Sequence, residues 1–244
     1  AGVAAVGADV GAGTVHLVAL SLDEPPSVIL SELLHPVSDS AIANVLRAAA
    51  VVAIDAPAGR SSQPHLGDRR LAAKFQRARC GEVALRAAGH AVPWVSPGPG
   101  DDLPPWMATG LEVWSIAEQL DVDAVETYPH AVFAELACSV LRHKQRPDGL
   151  VARARVLAPL LATPAWLPMW SHDGLDALAA AIVAWHAFHG TGRRVDCSGD
   201  EEWSAHDGSA IWLPPRPAMQ RVPQRGPARR FSVIEGGADR SDDA

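Results

Sequence analysis

The order of elements in residues 3–57 constrains the fold of this chain more than any other feature. VAAVGADV (3–10) and TVHLVALSL (14–22) read as two strands joined by the Gly-rich turn at 11–13. A turn that short joins antiparallel neighbours. SVILSELLH (27–35) supplies a third strand after a Glu-Pro-Pro break. SDSAIANVLRAAA (38–50) opens with N-cap residues and carries helical apolar spacing. VVAIDAP (51–57) is a continuous apolar run, as expected of a buried strand. The order β-β-β-α-β predicts an α/β fold with a mixed central sheet flanked by helices.

Further elements follow. LAAKFQRARCGEVALRAAG (71–89) reads as one basic amphipathic helix, and VPWVSPGPGDDLPPW (92–106) as a long loop. Helices are expected over 110–120, 130–144, 149–162 and 172–189, and strands over 123–129 and 209–214. At 244 residues and 48% hydrophobic content the chain can bury one sizeable core, assigned to 1–214. Beyond Pro214 apolar periodicity stops. Residues 215–244 read as a disordered Pro/Arg/Gly-rich tail, its Arg216, Arg221, Arg225, Arg229 and Arg230 solvated.

The net charge of −7 argues against a general nucleic-acid binder, so any such contact needs a local basic patch. Cys80, Cys138 and Cys197 are widely spaced and form no CxxC pair. They suggest neither a disulfide framework nor a zinc site, and a reducing cytoplasm fits. The opening AGVAAVGADV lacks a basic region and reads as a strand rather than a signal peptide. The apolar helical run at 175–188 is too short to span a bilayer, so no membrane is expected.

The chemistry is carried by acids at the ends of apolar runs. Asp9 ends the first strand, Asp55 the strand at 51–57, and Glu126 the strand at 123–129. Asp173 and Asp176 open the helix HDGLDALAAAIVAWH, three residues apart and therefore on one face. Each alone has an ordinary reading, as turn chemistry or as a partner for the helix dipole. Isolated buried carboxylates cost several kcal/mol unless paired or metal-bound. Five together suit Mg²⁺ or Mn²⁺, held by hard oxygen ligands beyond the strand ends, often as two ions about 4 Å apart.

These motifs carry a resemblance. GADVG (7–11), AIDAP (53–57), RCGEVALR (79–86), VETYPHAVF (125–133), Lys144-x4-Gly149-x3-Arg153-x3-Leu157, HDGLDALAAA (172–181) and IWLP (211–214) occur in an order similar to that of one family. It is the family of predicted RNase H-like nucleases known as domain-of-unknown-function family 429. The late-helix D-x-x-D-A-L also resembles that of Holliday-junction resolvases. The resemblance implies an RNase H-like fold and names Asp9, Asp55, Glu126, Asp173 and Asp176 as catalytic, metal-binding acids. The chain departs from the family pattern in placing the acid after the cysteine one position later, as Glu82.

Other residues have two readings each. Arg79, Glu82 and Arg86 fall at i, i+3 and i+7 of the expected helix, as a solvated ion-paired face or a phosphate clamp. Lys144 and Arg153 pose the same choice. Tyr128 and His130 flank Pro129 next to Glu126, and His130 is read as a loop histidine ahead of a general acid or base. Trp94, Trp106 and Trp114 either plug the gap under the long loop or stack on bases. Cys80 shows no partner base, so no nucleophile is assigned. The expected function is metal-dependent phosphodiester hydrolysis, probably of nucleic acid or a nucleotide phosphoester. A nucleotide-binding ATPase or kinase of related fold, suggested by GADVGAGTVHLVAL, and a non-catalytic binding module are the alternatives.

Overall fold

The computed structural model describes residues 2, 4–139, 141–163, 170–198 and 207–216. Three strands, β1 (Ala4–Gly11), β2 (Thr14–Ser21) and β3 (Val28–Leu34), form an antiparallel meander. Helix α1 (Asp39–Leu46), capped by Ser38, crosses over to β4 (Ala49–Asp55), which lies parallel to β1. β5 (Asp123–Glu126) adds in parallel beside β4, giving the sheet order β3-β2-β1-β4-β5. This mixed sheet flanked by helices is the α/β architecture that the β-β-β-α-β pattern predicts, and its strand order and connectivity are those of the RNase H-like fold that the resemblance implies.

Strand alternation sorts the core into two layers. Ala5 of β1 and Val51 and Ala53 of β4 pack against α7 (His172–Phe188), α5 (Pro129–Ala137) and α3 (Cys80–Ala87). Val6, Ala8, Val52 and Ile54 point the other way, against α1 and α4 (Pro105–Gln119). Asp9 and Asp55 continue the odd-numbered series, so both leave the sheet on the α7 side. They are also register partners.

Helix α7 lies directly on β1. A Cβ at Gly7 would overlap the Ala177 carbonyl and the Ala181 amide. Glycine on the strand and alanines at 177, 180, 181 and 184 on the helix therefore permit a close backbone approach. That approach carries the start of α7 to the end of β1.

Several boundaries differ from the sequence reading, each for a local reason. The helix expected over 71–89 is two: α2 (Ala73–Gln76) and α3, interrupted by Arg79 in an extended conformation. The break turns the Arg79 side chain inward, where buried acids outweigh helix continuity. The helix expected over 130–144 ends at Ala137, because Cys138 is left-handed at φ 56°. The chain then loops to Pro147, where α6 (Pro147–Leu157) begins with proline at its first position. Asp176 sits one turn deeper in α7 than the first turn, which holds Asp173 alone. A short strand unseen in the sequence, β6 (Arg193–Val195), pairs with β7 (Ile211–Leu213). Most of the expected tail, from 217 onward, lies outside the described residues, with Arg221, Arg225, Arg229 and Arg230. Among the described residues no helix is long and apolar enough to cross a membrane.

Candidate active site

The C-terminal ends of β1 and β4 open into a cavity of about 370 Å³ lined by Asp9, Thr14, His16, Asp55, Glu126, Tyr128, Lys144 and Asp173, among others. A neighbouring cavity of about 850 Å³ shares Asp55, Tyr128, Lys144 and Trp94, and adds Arg86, His130, Arg153 and Asp176. In α/β sheets this is where ligands bind.

Three carboxylates meet there. The Asp9 and Asp55 carboxyls lie within hydrogen-bonding reach of each other. Burial, and then the nearby Asp176, push Asp9 up to about 8. Burial, then Asp9 and Asp176, hold Asp55 well above the ordinary carboxylate range. Asp176 is 4% exposed and is raised by burial, with Lys144 opposing. Like charges in a low-dielectric site cannot all ionise unless a cation joins them.

Lys144 is the cation present. Its Nζ donates to Asp176 Oδ2 at 2.6 Å. Burial alone would lower its ammonium, but Asp176, Asp9 and Asp55 outweigh this and raise it. The spacing Lys144-x4-Gly149-x3-Arg153 explains its aim. A Cβ at Gly149 would overlap the His143 carbonyl, so glycine lets α6 close against the lysine's loop. Arg153, buried, donates to the Arg142 carbonyl at 2.9 Å and the Gly149 carbonyl at 3.3 Å, and its guanidinium lies 5.2 Å from the Phe133 ring centroid. Arg153 thus braces the loop.

The remaining acids are placed differently. Asp173 is at the rim, 47% exposed, with His172 Nδ1 2.6 Å away in a close contact rather than an aligned hydrogen bond. Glu126 is the register partner of Ile54, one residue out of phase with Asp55. It lines the first cavity, but Arg79 grips it: Nη2 donates to Oε1 at 2.5 Å and Nη1 to Oε2 at 2.8 Å. Arg79 also donates to Glu82 Oε1 at 3.3 Å and Ser96 Oγ at 2.9 Å. Arg79 is 3% exposed and Glu82 5%, so the solvated face expected here is instead a buried ion network. It ties α3, the 92–104 loop and the end of β5 together. Arg86 is exposed on the second cavity.

Sequence reasoning missed His16. It is the register partner of Asp9 and lines the first cavity. Burial lowers its pKa, and its Nδ1 has no hydrogen-bond partner while Nε2 lies 3.1 Å from Ser31 Oγ. The two-residue turn at 12–13 already pairs 11 with 14, 10 with 15 and 9 with 16, so the signal was in the sequence. Burial also pushes the Tyr128 phenol up to about 12, keeping it a neutral donor. Of the tryptophans, Trp106 and Trp114 pack on the α4-side core, Trp114 donating to the Ala56 carbonyl at 3.1 Å. Trp94 plugs nothing: it is 73% exposed at the mouth of both cavities.

The donor set fits a hard divalent cation: carboxylate oxygens without sulfur, with mutual repulsion that such an ion would relieve. Metal and protons compete for these oxygens. Asp9 is raised in the folded state, so its contribution to stability is full below about pH 4 and is lost as pH rises through about 8. Added Mg²⁺, which avoids thiolates, is expected to raise Tm by roughly 5–10 °C at pH 8 when present at about 100 Kd. The gain should shrink at pH 5.5. Thermal melts at both pH values check this, and an equal gain at both would mean that these acids are not the site.

Residues 106–202 match the model of the family described as "Protein of unknown function (DUF429)". The match bears out the resemblance read from the motifs, and its stretch holds Glu126, Lys144, Arg153, Asp173 and Asp176. No curated protein matches the chain. Among solved structures, "Thermus thermophilus RuvC structure" is similar, at 16% identity and a TM-score of 0.46, over 76% of this chain and 96% of that one. "T. thermophilus RuvC in complex with Holliday junction substrate" follows at 15% and 0.40, with the same coverage. The RNase H-like assignment rests on the strand order and connectivity described above.

Proposed function

We propose that the protein is a nuclease, hydrolysing phosphodiester bonds of nucleic acid with Mg²⁺ or Mn²⁺ held by Asp9, Asp55 and Asp176. The observation that carries this reading is the convergence of Asp9 and Asp55, at the ends of two parallel strands, with Asp176 of α7, where Lys144 is bonded to Asp176. Divalent metal bound there would make hydroxide available near neutral pH and neutralise charge on the phosphoryl group.

The chain's own residues supply the rest. Asp9 interacts with both Asp55 and Asp176 and would hold the metal together with them. Asp173, at the rim, completes the oxygen set from the solvent side. Lys144, bonded to Asp176 and 40% exposed in the cleft, would bring an ammonium to a substrate phosphate. His16, neutral at pH 7, can carry a proton beside Asp9. Glu126 is held by Arg79 and accepts from the Ala58 amide at 3.0 Å, which fixes the turn after β4.

The ATPase or kinase alternative needs free amides in the β1–β2 turn for phosphate. The Gly13 amide instead donates to Thr109 Oγ1 at 3.2 Å. Exposed Trp94 favours a polymer with bases to stack. Trp94→Ala is expected to raise KM for a nucleic-acid substrate roughly 5- to 100-fold with Tm unchanged. An unaltered KM would point to a small phosphoester.

The deciding experiment is cleavage of a labelled panel (single strand, duplex, RNA–DNA hybrid, four-way junction) with Mn²⁺, comparing the wild type with Asp9→Asn. Cleavage lost in the variant supports the nuclease and identifies its preferred shape. Equal cleavage in both overturns it, and no cleavage in either favours the non-catalytic module.

A further inference from the structure

The fold gathers three residues that the sequence keeps far apart. His65 lies in the loop after β4, Cys80 begins α3, and Cys197 follows β6. All three are buried, and their Nε2 and Sγ atoms lie within 4.8 Å of one another. His65 Nε2 is 3.5 Å from Cys80 Sγ. The Cys197 thiol donates to the Cys80 carbonyl at 3.3 Å. Both oxygens of Asp207 accept from the Cys80 amide at 3.3 Å, and Ser209 holds that carboxylate through its amide at 3.0 Å and its hydroxyl at 2.7 Å. The Asp207 carboxylate also reaches the Cys80 thiol.

A cysteine beside a histidine suggests a nucleophile, but Cys80 is 2% exposed and lines neither cavity of the cleft, so no substrate reaches it. Nucleophilic thiols are partly exposed and lie in electropositive surroundings. The ligand chemistry points elsewhere. Zn²⁺ binds imidazole and thiolate in a tetrahedron with bonds of about 2.0–2.3 Å, which spaces the ligand atoms by roughly 3.5–3.8 Å. The histidine–cysteine separation matches that edge, and small side-chain adjustments bring Cys197 to the same centre.

We propose that His65, Cys80 and Cys197 bind a structural Zn²⁺ as three of its ligands, beside the Asp207 carboxylate that holds the Cys80 amide. This site is chemically distinct from the carboxylate cleft and independent of the nuclease reading. Soft sulfur ligands select zinc, while the cleft's oxygens select magnesium or manganese. The zinc would join three segments that share no sheet: the 57–72 loop, the start of α3 and the residues that follow β6 at 196–198. Cys80 immediately follows Arg79, so the same centre would fix the backbone from which Arg79 reaches Glu126. No sequence pattern points to it, because neither the cysteines nor the histidine fall in a paired ligand motif.

The test uses the full chain, stripped of metal under reducing conditions and titrated with Co²⁺. Tetrahedral d–d bands with thiolate-to-cobalt charge-transfer absorption should rise to a plateau at one equivalent and bleach when Zn²⁺ is added. Asp9→Asn should keep the whole signal, whereas Cys80→Ser/Cys197→Ser should lose the charge-transfer band. If the double variant does not fold, the wild-type titration decides alone, because the band reports sulfur ligation directly. Absence of the band in the wild type, its persistence in the cysteine variant, or a Cys80–Cys197 disulfide in freshly purified protein would each overturn the zinc assignment.

Discussion

Asp9→Asn is expected to slow phosphodiester cleavage by at least about 10³-fold, which is about 4 kcal/mol of transition-state stabilisation. The amide keeps the shape of the carboxyl and its bond to Asp55, but it cannot bridge metal with two anionic oxygens. The fold should survive. Asp9 is pushed up to about 8, so the folded protein already tolerates the neutral form at this position. Removing a charge that is costly above pH 8 should leave the metal-free Tm equal to or higher than that of the wild type there. Melting and cleavage measured on the same preparations separate the two effects. Activity within tenfold of the wild type would rule out Asp9 as the central ligand. A collapse in Tm would mean that the residue is structural.

The other large effect is expected from Arg79→Met. Its guanidinium is the cation shared by Glu126 and Glu82, and all three side chains are at most 7% exposed. Removing one partner of a buried ion network typically costs about 3–5 kcal/mol, because the remaining charges stay desolvated and unpaired. For a chain of this size that corresponds to roughly 6–20 °C in Tm. Combining Arg79→Met with Glu82→Gln and Glu126→Gln should recover much of the loss, since a neutral network leaves no orphaned charge. Chemical denaturation of the single and triple variants measures both terms. A loss below about 1 kcal/mol for the single variant would place the network in solvent-like surroundings.

Much of the site is legible in the sequence because it depends on short-range regularities. Strand period and a Gly-rich turn mark β1 and β2 as a hairpin, and the structure shortens that turn to two residues, which pairs Asp9 with His16. The parallel run at 51–55 sets Asp55 beside Asp9, as two strands ending together must. The small residues Gly7, Ala177 and Ala181 foreshadow the close seat of α7, which brings Asp176 to the same place. The roles of Arg79 and Glu82 were illegible for a physical reason. The pattern over 71–89 suits an amphipathic helix, and only the buried Glu126, 47 residues further on, makes it favourable to break that helix and turn Arg79 inward. Lys144 was visible as a basic residue in a spaced motif, but its partner is decided by the left-handed turn at Cys138 and the brace of Arg153.

The sequence by itself determined the succession of elements, the antiparallel opening hairpin and the acids that end the strands, since alternation, capping and turn chemistry act over a few residues. Tertiary structure alone decided which charges are buried together: Lys144 among the aspartates, Arg79 on Glu126, and His65 with Cys80 and Cys197. Those contacts join distant segments, and their energies depend on desolvation, which arises only when the whole chain closes over them.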